Sequence, residues 1–224
     1  MGKKTCKHQR AGIPPRVIED VQDYRFQDRP DTCWITSIKN ISKTMKRYHS
    51  DCPSPNIKRF NKVIGAKFGI IPNYQKVSFL INKYIYNNTK YIVKEQANSD
   101  IKELKSILEN TNASPVIISV HLTKYLNIMK NRYDTRTLGY EVEDNNEIEG
   151  YDHVLIALDC IGEDLIFFDT YTPYLHLDGE NTKEKAIFKL PMMIVDAIWL
   201  EARVEPRWMM YIKKESPFQK RLEI

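Results

Sequence analysis

The segment Gln27–Ile41, QDRPDTCWITSIKNI, decides how this chain is to be read. Asp31 or Thr32 can cap a helix there, because either side chain accepts a bond from an unpaired first-turn N–H. The helix then runs from about Cys33 to Tyr48, with Trp34, Ile38, Ile41 and Met45 at helical spacing as its buried stripe. Cys33 stands at the helix start, where unpaired N–H groups and the helix dipole favour a thiolate. A nucleophilic thiolate needs a base, a group that orients the base, and donors for an oxyanion. The rest of the chain supplies a candidate for each.

His153 is the candidate base. It opens a strand, directly before the apolar run Val154–Leu158. Asp169 closes the next strand, after Leu165-Ile166-Phe167-Phe168. A hairpin would set the start of the first strand beside the end of the second, so Asp169 could orient the His153 ring. Side chains alternate faces along a strand, so the two share a face only if the hairpin register has the right parity. A two-residue turn at Ile161-Gly162 sends Asp169 to the wrong face. A three-residue turn, Cys160-Ile161-Gly162, pairs Asp159 with Glu163 and His153 with Asp169. A five-residue turn or a bulge restores the same parity, so an odd-length turn or a bulge is expected. Gln27 could aim its side-chain NH₂ at the same point as the Cys33 backbone N–H, forming an oxyanion hole.

Outward from these residues, the chain reads as helices first and an antiparallel sheet after, the α+β pattern. Residues 1–16 form a flexible basic arm, and 17–224 a single domain. Val17–Gln27 is a lead-in with strand-like alternation around Tyr24 and Phe26. Further helices are expected over Asn56–Lys67, Asn73–Tyr84, a short stretch capped by Asp100, and one starting at Pro191. Strands are expected at Tyr91–Val93, Ser114–Val120, His153–Asp159, Leu165–Asp169 and Arg207–Lys213. Residues 123–152 read as a long polar loop.

The 224 residues suffice for a sizeable core, and 28% charged residues is ordinary for a globular protein. No apolar run approaches the ~20 residues of a membrane span, and the N-terminus lacks a signal-peptide pattern. Four cysteines without such a signal fit reduced thiols in a cytoplasmic protein. The formal charge of +5 comes with no recognisable DNA- or RNA-binding motif, so a nucleic-acid partner is not expected. Cys6-Lys7-His8 and His49-Ser50-Asp51-Cys52 could together supply two Cys and two His ligands, but the first pair's spacing is tight for the usual zinc motifs, and a basic arm and a surface turn are the expected reading. Cys52 and Cys160 lie in turns, and no glutamine precedes Cys6, Cys52 or Cys160 at the same spacing. His121 and His176 flank apolar segments; His176 is the second-choice base. The acidic run Glu141–Asp152, which includes Glu149, leads directly into His153. Such a run is usually a solvated loop, though a long one near a cleft can select basic substrates or act as a lid.

Gln27, then Cys33 at a helix start followed by Trp34, with His153 and Asp169 sixteen apart on consecutive strands, resembles the papain-like cysteine peptidases. The element order over roughly residues 20–213 is closest to the bacteriocin-processing (double-glycine) peptidases, whose "PV-apolar" strand corresponds to Ser114–Val120. Trp34 follows the cysteine as in papain, where the double-glycine peptidases usually carry Gly, and Asp152 stands where a Gly usually precedes the His. The resemblance implies a papain-like α+β fold whose N-terminal helices pack on the sheet carrying His153 and Asp169. It implies a peptidase with Cys33 as nucleophile, His153 as proton carrier, Asp169 as orienting group and Gln27 as oxyanion donor. Trp34, Asp152 and Glu149 would line the substrate path. It implies a protein or peptide substrate, no cofactor and no membrane partner. Two rivals share the pattern: an acyltransferase or transglutaminase-like enzyme on the same three residues, and a non-catalytic binding module on the same fold.

Overall fold

The computed structural model describes residues 13–27, 32–65, 76–129, 152–171, 183, 186–203 and 205–215. Helix α1 spans Pro15–Gln22, α2 Cys33–Tyr48, α3 Ile57–Ile64 and α4 Val77–Tyr84. Strand β1 (Tyr91–Gln96), helix α5 (Ile101–Leu108), strand β2 (Val116–His121) and helix α6 (Leu122–Met129) follow. Strands β3 (Asp152–Ile161), β4 (Asp164–Phe168) and β5 (Ile187–Pro191), helix α7 (Met192–Leu200) and strand β6 (Met209–Lys214) complete the order.

Local chemistry accounts for several boundaries. Helix α2 begins at Cys33 and ends at Tyr48, as its apolar spacing predicts. Thr32 is its N-cap residue, but its side chain makes no capping bond. Asn56 caps α3 by accepting from Arg59 N, and Gly65 ends that helix at φ +69°. Asp100 and Glu103 form a reciprocal capping box on α5. Helix α1 corrects two expectations. It begins inside the segment read as an arm, and it takes up the first part of the Val17–Gln27 lead-in, ahead of the alternation around Tyr24 and Phe26. Pro15 takes its first position, where a missing N–H costs nothing, and Arg16 ties it to the sheet by an ion pair with Asp159 at 2.9 Å.

The six strands form one sheet in the order β1-β6-β2-β3-β4-β5, and every pairing is antiparallel. Helices cover both faces, which is why β2 is buried along its whole length. One core packs α1–α4 on Val93, Ile117, Val154, Ile156 and Phe168. The other packs α5, α6 and α7 on Ile118, Leu155, Phe167, Phe188 and Met209. Among the described residues, no helix is long and apolar enough to cross a membrane.

The β3–β4 hairpin bears directly on the site. Its turn is the two-residue pair Gly162-Glu163, with Ile161 opposite Asp164. Gly162 has φ +59° at the first turn position, where type II′ hairpins place glycine. The turn is therefore neither the three-residue loop nor the Ile161-Gly162 pair. Parity is restored instead by a bulge between Ala157 and Asp159, beyond which Ile156 faces Phe168. Its effect is visible in the packing: Leu155 and Ala157 join the second core, but so does Cys160. Asp169 consequently falls on the same face as His153, two positions from direct opposition.

Candidate active site

Three chain segments converge at one end of the sheet. Residues 24–27 run beside α2, held by the Asn40 carboxamide, which accepts from Arg25 N and donates to Arg25 O, both at 2.9 Å. Tyr24 bonds Thr44 at 2.8 Å and packs edge-on against Phe168, while Phe26 stacks on the same ring. Gln27 is thereby delivered to the end of β4. Its backbone N–H donates to Thr170 O at 3.0 Å, and the Thr170 hydroxyl donates to its Oε1 at 2.8 Å. That bond fixes the carboxamide with its NH₂ on the opposite side.

Cys33 opens α2 and packs with the first core. His153 and Asp169 lie on the face of the sheet that carries the second core, so the group straddles the sheet's end. His153 Nε2 and Asp169 Oδ1 are 2.8 Å apart, and the Cys33 side chain is close enough to the His153 ring to act on its proton affinity. All three are nearly sealed from solvent: Cys33 is 9% exposed, His153 5% and Asp169 0%.

Asp169 holds more partners than the imidazole. Tyr125 donates its hydroxyl to Oδ2 at 2.5 Å, and Tyr171 N donates to Oδ1 at 2.8 Å. Tyr125 also stacks on His153, with ring centroids 5.4 Å apart. Tyr125 sits on α6, within the segment read as a polar loop, and sequence reasoning missed it. The signal was present in Leu122, Tyr125, Leu126 and Met129 at helical spacing.

Burial alone would push the His153 pKa down, but the charge and hydrogen bond of Asp169, with the Cys33 side chain, outweigh it and raise it to about 10. Burial works in the opposite sense on Asp169. His153, Tyr125 and the Tyr171 N–H overcome it and hold the carboxyl below its ordinary value. The two shifts agree on a charged pair within a buried pocket. An imidazolium held against a sulfur is the arrangement that keeps a thiolate ready for attack.

The other residues read from sequence fall as follows. Trp34 is half-buried, its ring 4.5 Å from that of Trp208. The Asp152 carboxylate accepts from Ser119 Oγ at 3.1 Å and Arg203 N at 2.9 Å, tying the start of β3 to β2 and to the segment after α7. Glu149, most of the acidic run, Cys6 and His176 lie outside the described residues. Cys52 is buried and its thiol is pushed up to about 12, chiefly by burial; burial also raises Cys160. His121 pairs with Asp152 in the β2–β3 register. Among the described residues no cluster of His, Cys, Asp and Glu could hold a metal ion.

A cavity of about 360 Å³ opens at the far end of α2, beside Tyr48, His49, Asn112 and Leu158. Tyr48 is fifteen residues from Cys33, roughly 22 Å along the helix axis. The cavity brings together no nucleophile and base, so its size does not make it the reactive site.

No protein-family model matches the chain, and neither does any curated protein sequence. Among solved structures, one similar to it is the crystal structure of a candidate C39-like peptidase from Bacillus anthracis. The two share 14% identity and superpose with a TM-score of 0.48, over 86% of this chain and 92% of that one.

Proposed function

We propose that this chain is a cysteine peptidase acting through a thioacyl-enzyme. The observation that carries the reading is the buried chain of contacts from Cys33 through His153 to Asp169. In the acylation step the Cys33 sulfur forms a bond to the substrate carbonyl carbon. As the C–N bond breaks, His153 gives its proton to the leaving amine. Water then adds to the thioester, His153 takes the water's proton, and the C–S bond breaks to release the acid and restore the thiolate. Asp169 keeps the imidazole oriented throughout and stabilises its charged form each time it holds the proton. Gln27 and the Cys33 backbone N–H stabilise the oxyanion in both steps. The substrate is a protein or peptide, and the three described cysteines, all free thiols, fit work in a reducing compartment such as the cytoplasm.

The test is hydrolysis of a peptide library by wild-type protein and three variants. Cys33→Ala and His153→Ala abolish turnover while the fold persists. Gln27→Ala loses on the order of 10²–10³ in kcat, the usual cost of one oxyanion donor. Unchanged turnover in folded Cys33→Ala refutes the reading. An amine acceptor added to the same assay separates hydrolysis from acyl transfer, since Asp at position 169 suits both.

A further inference from the structure

The solvent face of α2 carries Lys39, Lys43, Lys46 and Arg47 at i, i+4, i+7 and i+8, which sets them on one side of the helix. Arg25 and Lys183 flank this stripe and act electrostatically on Lys43. Among the described residues Arg25, Lys39, Lys43, Lys46 and Lys183 have no carboxylate within ion-pair distance. Lys43 instead donates to the backbone oxygen of Asp23, and Lys183 to that of Gln22. Lys39 is pinned by Ser54, whose carbonyl and hydroxyl oxygens both accept at 2.9 Å. Arg47 alone is paired, with Asp23 and, at 3.9 Å, with Asp20.

This grouping is costly to the free protein. Burial and then the charges of Lys43, Arg25 and Lys46 pull the Lys39 pKa down to about 8. Lys43 is lowered too, by burial and by Arg25. Like charges are thus held together and partly desolvated, around a surface concavity of about 370 Å³ between Asp23, Lys43, Lys46 and Arg47. An anionic partner would relieve that repulsion.

We infer that this stripe is a docking surface for an acidic peptide segment of the protein that Cys33 acts on. Lys39 lies six residues from Cys33 on the same helix, roughly 9 Å along its axis, and Arg47 lies roughly 12 Å further. An extended peptide of about four residues spans the stripe. Its far end points along α2 toward the reactive sulfur, and Arg25 leads by two residues to Gln27. Lysines recognise carboxylates as point charges and set little geometric demand. Asp23 stands within the concavity, where a continuous phosphate backbone would meet a like charge and a peptide can place a neutral or basic side chain. That the peptide belongs to a substrate rests on the peptidase reading; the binding does not.

The experiment measures fluorescence anisotropy of a labelled Asp/Glu-rich peptide and of its Asn/Gln counterpart. The protein is the full chain carrying Cys33→Ala, so no turnover intervenes. The acidic peptide binds, weakens steeply with added salt, and loses about tenfold in affinity on K43Q/K46Q. The control K58Q/K102Q, which removes the same charge elsewhere, leaves affinity unchanged. Equal losses from both pairs, or none from K43Q/K46Q, overturn the proposal. So does an oligothymidylate that binds more tightly and loses its affinity to the same K43Q/K46Q change, which makes the surface a nucleic-acid site. Acidic-peptide binding by a wild-type protein that hydrolyses no peptide supports the surface and refutes the role given to Cys33.

Discussion

Tyr125 donates its hydroxyl to Asp169 at 2.5 Å and lays its ring over His153, so one residue of α6 restrains both members of the buried charged pair. A hydrogen bond to a buried carboxylate is worth about 1.5–3 kcal/mol. Tyr125→Phe keeps the stacked ring and removes only that bond. Its expected effect is a fall in kcat of about tenfold or more at little change in KM, with the acid limb of the pH–rate profile moved to higher pH as the Asp169 carboxyl loses a donor that holds it below its ordinary value. A kcat loss with an unshifted limb would assign Tyr125 to packing alone.

The thiols should separate by reactivity. Burial raises Cys52 to about 12 and raises Cys160 as well, while Cys33 faces the His153 ring. A limiting dose of iodoacetamide near neutral pH therefore modifies Cys33 first, as read by peptide mapping, and His153→Ala removes the preference. Faster labelling of Cys52 in folded protein contradicts the assignment.

Stability follows pH with signs set by the same pair. His153 has a raised folded pKa, so its contribution is fully present below its ordinary 6.5 and is lost as pH rises through about 10. Asp169 has a lowered folded pKa, so its contribution is fully present above its ordinary 3.8 and is lost as pH falls through the lower folded value. The stability advantage of wild type over Asp169→Asn is then greatest between about pH 4 and 6.5 and declines toward pH 10. Chemical denaturation across this range measures it; an advantage that grows above pH 8 goes against the charged pair.

The bulge at Leu158 predicts a deletion phenotype. Removing Leu158 leaves a regular ladder from the Gly162-Glu163 turn in which Ala157 still faces Phe167 and Leu155 faces Asp169, so His153 and Asp169 keep their shared face. Activity should survive, at a cost in stability from the lost Leu158 packing. Gly162→Ala touches the turn but not the parity: a Cβ there meets nothing within 4 Å, and only the φ of +59° resists it. It costs about 1 kcal/mol in stability and leaves kcat near wild type. Loss of activity in a folded Leu158 deletion would mean that parity alone does not govern the pair.

Much of this frame was legible because the residues concerned sit where elements begin or end. The start of α2 at Cys33 follows from apolar spacing, and those of α3 and α5 from the caps Asn56 and Asp100. Parity alone required an odd turn or a bulge between His153 and Asp169. Which of the two occurs was not legible, because a bulge is settled by how Leu158 and Cys160 pack against opposite cores. Helix α6 was hidden by the polar segment that follows it, and with it Tyr125. Helix α1 was hidden because Pro14-Pro15 reads as a break, although proline suits a first helical position. Strand β5 is short and ends at Pro191, and its apolar run Ile187-Phe188 carries no alternation to mark it.

The central claim is a covalent acyl group on Cys33, and acid-quenched mass spectrometry of the protein mixed with an activated peptidyl ester tests it most directly. The predicted result is one acyl adduct per chain, mapped to the peptide containing Cys33, absent in Cys33→Ala and failing to accumulate in His153→Ala. An adduct on Cys52 or Cys160, or turnover of the ester with Cys33 never acylated, would contradict the account.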